Sequence, residues 1–211
     1  MDTKFNMTGF DAISDALEKF AEGIRKLDGP FKKSLDILAD HGWYISKATT
    51  LGDIFENTKA AIQKDTSKID KAMVKLFKSE QKSIHKKLIA NHPDRKNILN
   101  EAFKCHSKKY YHASTTLFLS QADGIMAGKL YIIKNDKAAL KNYLSAGQYT
   151  DYLTEILTKV RGIDCYTGDI DKHKSDLNRQ AVMHGLTADF GNEINSYKAM
   201  SLLNFVEDFK K

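Results

Sequence analysis

The chain has 211 residues, a net charge of +6 and 28% charged residues, values typical of a one-domain soluble globular protein. It contains only two prolines, which favours long helices over a loop-rich β architecture. No apolar run approaches the ~18 residues of a membrane span, and the first residues lack a signal-peptide layout. Cys105 and Cys165 match no metal-ligand spacing, so we expect a reduced, cytoplasmic protein.

The first part of the chain is predicted to be helical with one interruption. Apolar residues recur at steps of three and four over residues 8–27, which predicts an amphipathic helix. A shorter helix is predicted over residues 31–39. Residues 41–46 are predicted to be extended or irregular, since Gly42 interrupts the pattern, and residues 51–63 are predicted to be helical again.

A row of lysines follows at alternating steps of four and three, which places their ammonium groups along one face of a predicted helix. We call these residues the lysine row: Lys64, Lys68, Lys71, Lys75, Lys78, Lys82 and Lys86. Ten basic and four acidic residues between Lys64 and Lys96 account for the whole net charge of +6. The row forms either the solvated face of an amphipathic helix or a track for nucleic-acid phosphates. It contains no arginine, which weakens the case for specific recognition.

The rest of the chain is also predicted to be helical, after a break at Pro93. One long helical region is predicted over residues 94–126, and residues 162–176 are predicted to be a loop. Further helices are predicted over residues 135–144, 148–161, 177–184 and 192–209. The fold class is therefore all-α, a helical bundle with an N-terminal helical extension. Residues 1–90 form the N-terminal helical region, packed on the core or separate from it, and residues 91–211 form the bundle.

Patterns typical of metal and nucleotide sites are missing from the sequence. There is no His-x-x-x-His pair and no His-Glu-x-x-His motif, so a zinc site is unsupported. Asp164, Asp169, Asp171 and Asp176 lack the Gly and Glu positions of a calcium loop. No Gly-rich phosphate-binding loop is present either. The sequence therefore predicts neither a metal nor a cofactor.

Arg179 and His184 lie five positions apart at the end of a predicted helix, just before Gly185. On an ideal helix this spacing leaves the two side chains about 140° apart. If Gly185 is the left-handed residue just past the helix, His184 lies at the C-terminal end, where the helix dipole favours a protonated imidazole. The pair is either a metal-free site for cleaving RNA or an exposed arginine with a histidine cap.

Three segments resemble the HEPN superfamily (higher eukaryotes and prokaryotes nucleotide-binding), and within it the bacterial Apea-like HEPN group. Residues 177–185 (LNRQAVMHG) are similar to the family's Arg-x(4–6)-His motif. Residues 189–203 (DFGNEINSYKAMSLL) look like the helix that follows this motif, and residues 118–125 (FLSQADGI) look like a segment upstream. Residues 42–45 (GWYI) also resemble an N-terminal feature of some members. The resemblance covers residues 93–209 strongly and the preceding residues weakly.

The resemblance implies a small helical bundle, usually dimeric, in which the motifs of two chains meet in a shared cleft. Many members are metal-independent endoribonucleases of toxin–antitoxin, abortive-infection or related defence systems. Others have lost activity and only bind. For this chain the resemblance therefore implies RNA as substrate, a homodimer, an antitoxin or defence-system partner, and no cofactor. The alternative is a catalytically inactive RNA- or protein-binding module.

The resemblance also implies roles for four residues in an enzyme that joins the ribose 2′-oxygen to the adjacent phosphorus. His184 would act as acid or base, and Arg179 would hold the phosphate oxygens with its planar fork. Asn178 and Gln180 would orient the phosphate or the imidazole. Family members commonly have Asn, Asp or His where this chain has Gln180, which keeps a polar amide but has no charge or ring.

Overall fold

The structure is a computed structural model that describes residues 29–46, 49–50, 52, 54, 56, 58–59, 66–131, 136–144, 150–159, 161–173 and 175–210. These residues are mostly helical and form no sheet, and one antiparallel bridge joins Leu144 to Lys210. The all-α prediction is therefore confirmed. The helix predicted over residues 8–27 and the first member of the lysine row, Lys64, lie outside the described residues.

Helix positions follow the predicted ones closely. Residues 29–40 are helical (α1), as are residues 52, 54, 56, 58 and 59. The other α-helices are α2 (Thr66–Asn91), α3 (Lys96–Ser107), α4 (Tyr111–Ile125), α5 (Lys137–Lys141), α6 (Thr150–Thr158), α7 (Arg179–Met183) and α8 (Glu193–Phe209). Two short 3-10 helices occupy Pro93–Arg95 and Thr167–Lys172. No described helix has the length and apolar character needed to cross a membrane.

The region predicted to be helical over residues 94–126 is helical but not continuous, because the chain turns between α3 and α4. Lys109 has a φ of 63°, which ends α3. The N–H of Tyr110 donates to the Cys105 carbonyl at 2.8 Å, and that of Lys109 donates to the His106 carbonyl at 2.9 Å. This pair of bonds is a Schellman motif. Its left-handed position usually holds glycine, and here it holds lysine, so the sequence pattern gives no sign of the turn.

Helix α8 is the central element of the bundle. All of its residues from Asn195 to Asp208 are buried, so the helix is covered on every side. It packs most extensively against α4 and also against α2. Tyr197 and Phe205 of α8 and Phe118 of α4 are among the largest fully buried side chains. Helix α8 therefore fixes the positions of the helices around it.

The segment before α2 packs on this core. Trp43 is completely buried and stacks on Phe77 of α2 at 6.0 Å between ring centroids. Its indole N–H donates to Asp70 at 2.7 Å. The Tyr44 N–H donates to the Ser201 hydroxyl of α8 at 3.2 Å. The described residues of region 1–90 therefore share one hydrophobic core with region 91–211.

The C-terminal end of α8 carries two buried carboxylates that bind α2 and the turn after it. Lys87 contacts Asp208. Glu207 accepts hydrogen bonds of 2.7 Å from both Asn91 and His92, and Lys210 lies 3.2 Å away. Burial raises the pKa of Glu207, but these hydrogen bonds and the Lys210 charge outweigh burial and leave the pKa below its ordinary value. The ionised carboxylate therefore stabilises the bundle.

A buried histidine links α3, α4 and α8. The His106 Nδ1 lies 2.8 Å from the Ser196 hydroxyl, which lies 2.7 Å from the Ser114 hydroxyl. Burial, with a smaller contribution from the positive charge of Lys78, lowers the pKa of His106 to about 4. The imidazole is therefore neutral at pH 7 and joins the helices as a hydrogen-bonding group.

Candidate active site

Helix α7 begins at a buried asparagine that also holds the preceding loop. Asn178 is 1% exposed, and its side-chain oxygen accepts a hydrogen bond of 2.8 Å from the Ala181 N–H. Its side-chain nitrogen donates to the Gly162 carbonyl at 2.8 Å and to the Cys165 carbonyl at 3.0 Å. Asn178 is thus the N-cap of α7, and it also holds the loop in place through these two hydrogen bonds. Asn178 was predicted to orient the phosphate or the imidazole, but in the structure its amide is buried and bonded to the backbone of the loop and of α7.

The C-terminal end of α7 exposes His184. Gly185 has a φ of 67°, the Leu186 N–H donates to the Ala181 carbonyl at 2.8 Å, and the Gly185 N–H donates to the Val182 carbonyl at 3.3 Å. These bonds form a Schellman motif, which confirms the predicted left-handed glycine. The His184 side chain is exposed and makes no hydrogen bond or ion pair with another described residue. Its ring nitrogens are therefore accessible to a ligand.

Arg179, at the other end of α7, is held by two residues from outside the helix. Its guanidinium carbon lies 4.4 Å from the centre of the Tyr131 ring. Its Nη2 lies 3.8 Å from the Asp123 carboxylate, whose other oxygen accepts the Leu130 N–H at 3.0 Å. A separation of 3.8 Å is an ion pair but exceeds a hydrogen bond. The Arg179 side chain is 25% exposed, and its guanidinium is held by these two contacts and donates no hydrogen bond to a described residue.

The structure does not join the two motif residues within one chain. Arg179 contacts Asp123 and Tyr131, and no contact links it to His184. Gln180 is exposed on the first turn of α7. Sequence reasoning did not identify Asp123 or Tyr131 as site residues. Asp123 lies in residues 118–125, one of the segments that resemble the HEPN family. Its position in that segment was a sequence signal that could have pointed to it.

The second segment of the resemblance, residues 189–203, begins with the connection between α7 and α8. Asn192 caps α8 by accepting the Asn195 N–H at 2.8 Å. The His112 ring lies so close to Gly191 that a Cβ there would overlap it. Its Nε2 also lies 2.8 Å from the Ala188 carbonyl. These contacts fix the connection between α7 and α8, so the segment has a structural role.

The described members of the lysine row lie on one face of α2. Lys68, Lys71, Lys75, Lys78, Lys82 and Lys86 are all exposed. From Lys71 to Lys86, none of the row's five members forms an ion pair with a carboxylate of the described residues. By contrast, Lys87 faces α8 and contacts Asp208. From Lys71 to Lys86 the row therefore presents positive charge that the described carboxylates do not neutralise.

No group of three His, Cys, Asp or Glu residues within the described ranges is arranged to hold a metal ion. Comparisons with protein-family models, curated proteins and solved structures find no match to this chain. The HEPN resemblance therefore rests on the segments quoted from the sequence.

Proposed function

We propose that this chain is a metal-independent endoribonuclease of the HEPN type, with Arg179 and His184 as catalytic residues. The arrangement at α7 supports the proposal. An exposed imidazole stands at one end of the helix, and a guanidinium held by Asp123 and Tyr131 stands at the other. Among the described residues, neither group has a hydrogen-bond partner for its side chain. RNA transesterification needs a proton-transfer group and a cation for phosphate, and these two residues supply both.

The reaction needs two proton transfers. One imidazole takes the proton of the ribose 2′-hydroxyl as that oxygen bonds to the phosphorus. The bond from phosphorus to the 5′-oxygen breaks, and a second, protonated imidazole gives its proton to the departing oxygen. The guanidinium of Arg179 stabilises the negative charge on the phosphorane oxygens. The products are a 2′,3′-cyclic phosphate and a 5′-hydroxyl, and DNA is not cleaved because it has no 2′-hydroxyl.

A homodimer provides the second imidazole, because each chain has one His184. Two copies related by a two-fold axis bring both histidines into one cleft. The dimer also lets Arg179 of one chain act beside the partner's His184, which matters because the two residues make no contact within a chain. Met183 and Leu186 flank His184 and are 39% and 65% exposed. In the proposed dimer these apolar side chains lie against the second copy.

The setting of such an enzyme is part of the proposal. Many HEPN ribonucleases act as toxins or in defence against phage, and we place this chain in the same class, in the cytoplasm, with an antitoxin or another defence protein as partner. Expression of the wild-type chain is then expected to slow cell growth. Expression of the His184→Ala variant is expected to leave growth unchanged.

RNA cleavage by the purified protein in excess EDTA tests the proposal. Total RNA and transfer RNA are incubated with the wild-type protein and with the Arg179→Ala and His184→Ala variants. We expect cleavage with 2′,3′-cyclic phosphate ends in the wild type and a loss of at least ~100-fold in both variants, since each removes one catalytic function. Lys33→Ala is the control, because it removes an exposed cationic side chain from α1, outside the proposed site.

Two results would contradict the proposal. Cleavage that persists in His184→Ala would show that another residue carries out the reaction or that a contaminating nuclease is present. Cleavage that EDTA abolishes would show that a metal takes part. Sedimentation velocity of each variant checks that the oligomeric state is unchanged, so that a loss of activity can be assigned to the missing side chain.

The exposed lysine row favours a second candidate, an RNA-binding module without turnover. Its positive charge, unpaired within the described part of α2 from Lys71 onward, is suited to phosphate contacts. Gln180, which stands where the family commonly has Asn, Asp or His, fits this candidate as well. Binding of RNA by a dimer that does not cleave total RNA would favour the module over the enzyme.

A further inference from the structure

A groove of about 760 Å³ lies between α2 and α3, on the surface that carries part of the lysine row. Three lysines line it, Lys78 and Lys82 from α2 and Lys104 from α3. The remaining lining residues are Ser79, Gln81, His85, Asn100, Phe103 and Ser107. No carboxylate lines the groove. Lys104 was not predicted as a binding residue, and the packing of α3 on α2 brings it beside the row.

The three ammonium groups are unpaired. Lys78, Lys82 and Lys104 are exposed, and none of them forms an ion pair or hydrogen bond with a described residue. The charge of Lys78 is one of the causes that lower the pKa of the buried His106, so its field also acts on the interior behind the groove. Three like charges facing one depression repel each other, and an anion bound between them relieves this repulsion.

The floor of the groove is an aromatic surface with polar edges. The His85 ring stacks on Phe103 with 4.3 Å between centroids and 22° between planes. Its Nε2 lies 2.8 Å from the Asn100 side-chain oxygen, which fixes the ring orientation. Both side chains line the groove, and Phe103 is buried whereas His85 is half-buried. A planar ring held in this way offers a face on which a nucleic-acid base can stack.

We propose that this groove binds single-stranded RNA, with Lys78, Lys82 and Lys104 on successive phosphates and the His85 ring against a base. This site rests on the proposed action on RNA. It places these contacts with the RNA strand away from α7. A single strand fits better than a duplex because its bases are free to stack on a protein ring. Lysines without arginine act as point charges, so the groove binds the backbone with little reading of sequence.

A binding titration with a fluorescein-labelled 12-nucleotide single-stranded RNA tests this site. All measurements use the His184→Ala background, so that the probe stays intact and failure of the cleavage mechanism does not affect the result. The groove variant carries Lys78→Gln, Lys82→Gln and Lys104→Gln. The matched control carries Lys33→Gln, Lys96→Gln and Lys129→Gln, three exposed lysines that belong neither to the lysine row nor to the groove lining, with the same change in net charge.

Salt dependence gives the expected magnitude. Each phosphate contact with a single strand adds roughly 0.7 to the slope of log affinity against log salt, so three contacts add roughly 2. Between 50 and 200 mM salt these contacts account for roughly a 20-fold loss of affinity. We expect the groove variant to bind at least ~10-fold more weakly than the control at low salt, with a slope smaller by roughly 2.

Three outcomes overturn the proposal. Equal weakening in the groove variant and the control means that RNA responds only to net charge. Unchanged binding in the groove variant means that the groove is not the site. Tighter binding of a 12-base-pair duplex than of the single strand rules out the aromatic floor as a base-stacking surface. Circular dichroism of both variants checks that the helical content is preserved.

Discussion

Replacing Asn178 distinguishes a structural residue from a catalytic one inside the motif. Its side chain makes one capping bond to the Ala181 N–H and two bonds to loop carbonyls, those of Gly162 and Cys165. Loss of an N-cap costs about 1 kcal/mol, and loss of each buried hydrogen bond costs about 1 kcal/mol. We therefore expect Asn178→Ala to lower the free energy of unfolding by about 3 kcal/mol.

A second substitution separates the two roles. Asn178→Ser keeps an oxygen that can cap α7 but removes the donors to the loop, so it should cost about 2 kcal/mol. Gln180→Ala is the control, because Gln180 is exposed and its replacement should change stability by less than ~0.5 kcal/mol. Urea unfolding is followed by the fluorescence of Trp43, the only tryptophan, which is fully buried in the folded protein.

A loss of less than ~1 kcal/mol in Asn178→Ala would contradict these three bonds, since buried hydrogen bonds cannot cost so little when their partners stay buried. A second informative result is loss of RNA cleavage with stability unchanged. Asn178 would then belong to the reacting site, and the loop 161–173 would not depend on it.

Three further predictions concern stability. Burial lowers the pKa of His106 to about 4 from 6.5, so the folded protein favours the neutral imidazole. The resulting stabilisation, roughly 3 kcal/mol, is fully present above pH 6.5 and should be lost as the pH falls to 4. Urea titrations across this range should show a shallower decline for His106→Gln. The pKa of Glu207 is below its ordinary 4.5, so its stabilisation should be lost as the pH falls below that value, and Glu207→Gln should remove this loss. Gly162→Ala should lower the free energy of unfolding by more than ~2 kcal/mol, because its Cβ would overlap the backbone carbonyl of Ser175. Gly29→Ala is the control, since a Cβ there meets open space, and it should unfold at a urea concentration no lower than that of the wild type.

The amino-acid pattern was sufficient to predict most of the described helices and the approximate positions of their ends. Apolar residues at steps of three and four specify α2, because a helix buries one face and exposes the other, and the lysines fall on the exposed face. Gly185 specifies the end of α7, because a left-handed residue is needed there and glycine adopts that conformation without strain. The turn at Lys109 was not predicted, because lysine occupies a left-handed position where glycine is usual.

Which side chains meet depends on the packing of the helices in three dimensions. Arg179 is held by Asp123 and Tyr131, and Lys104 joins Lys78 at the groove, because α8 packs the helices around it in one arrangement. Contacts between residues far apart in sequence depend on how helix faces pack, and the spacing of residues along one helix carries no information about them. Asn178 shows the same limit. Its place in the motif predicted that it orients the phosphate or the imidazole, whereas in the structure its side chain is buried and bonds to the preceding loop.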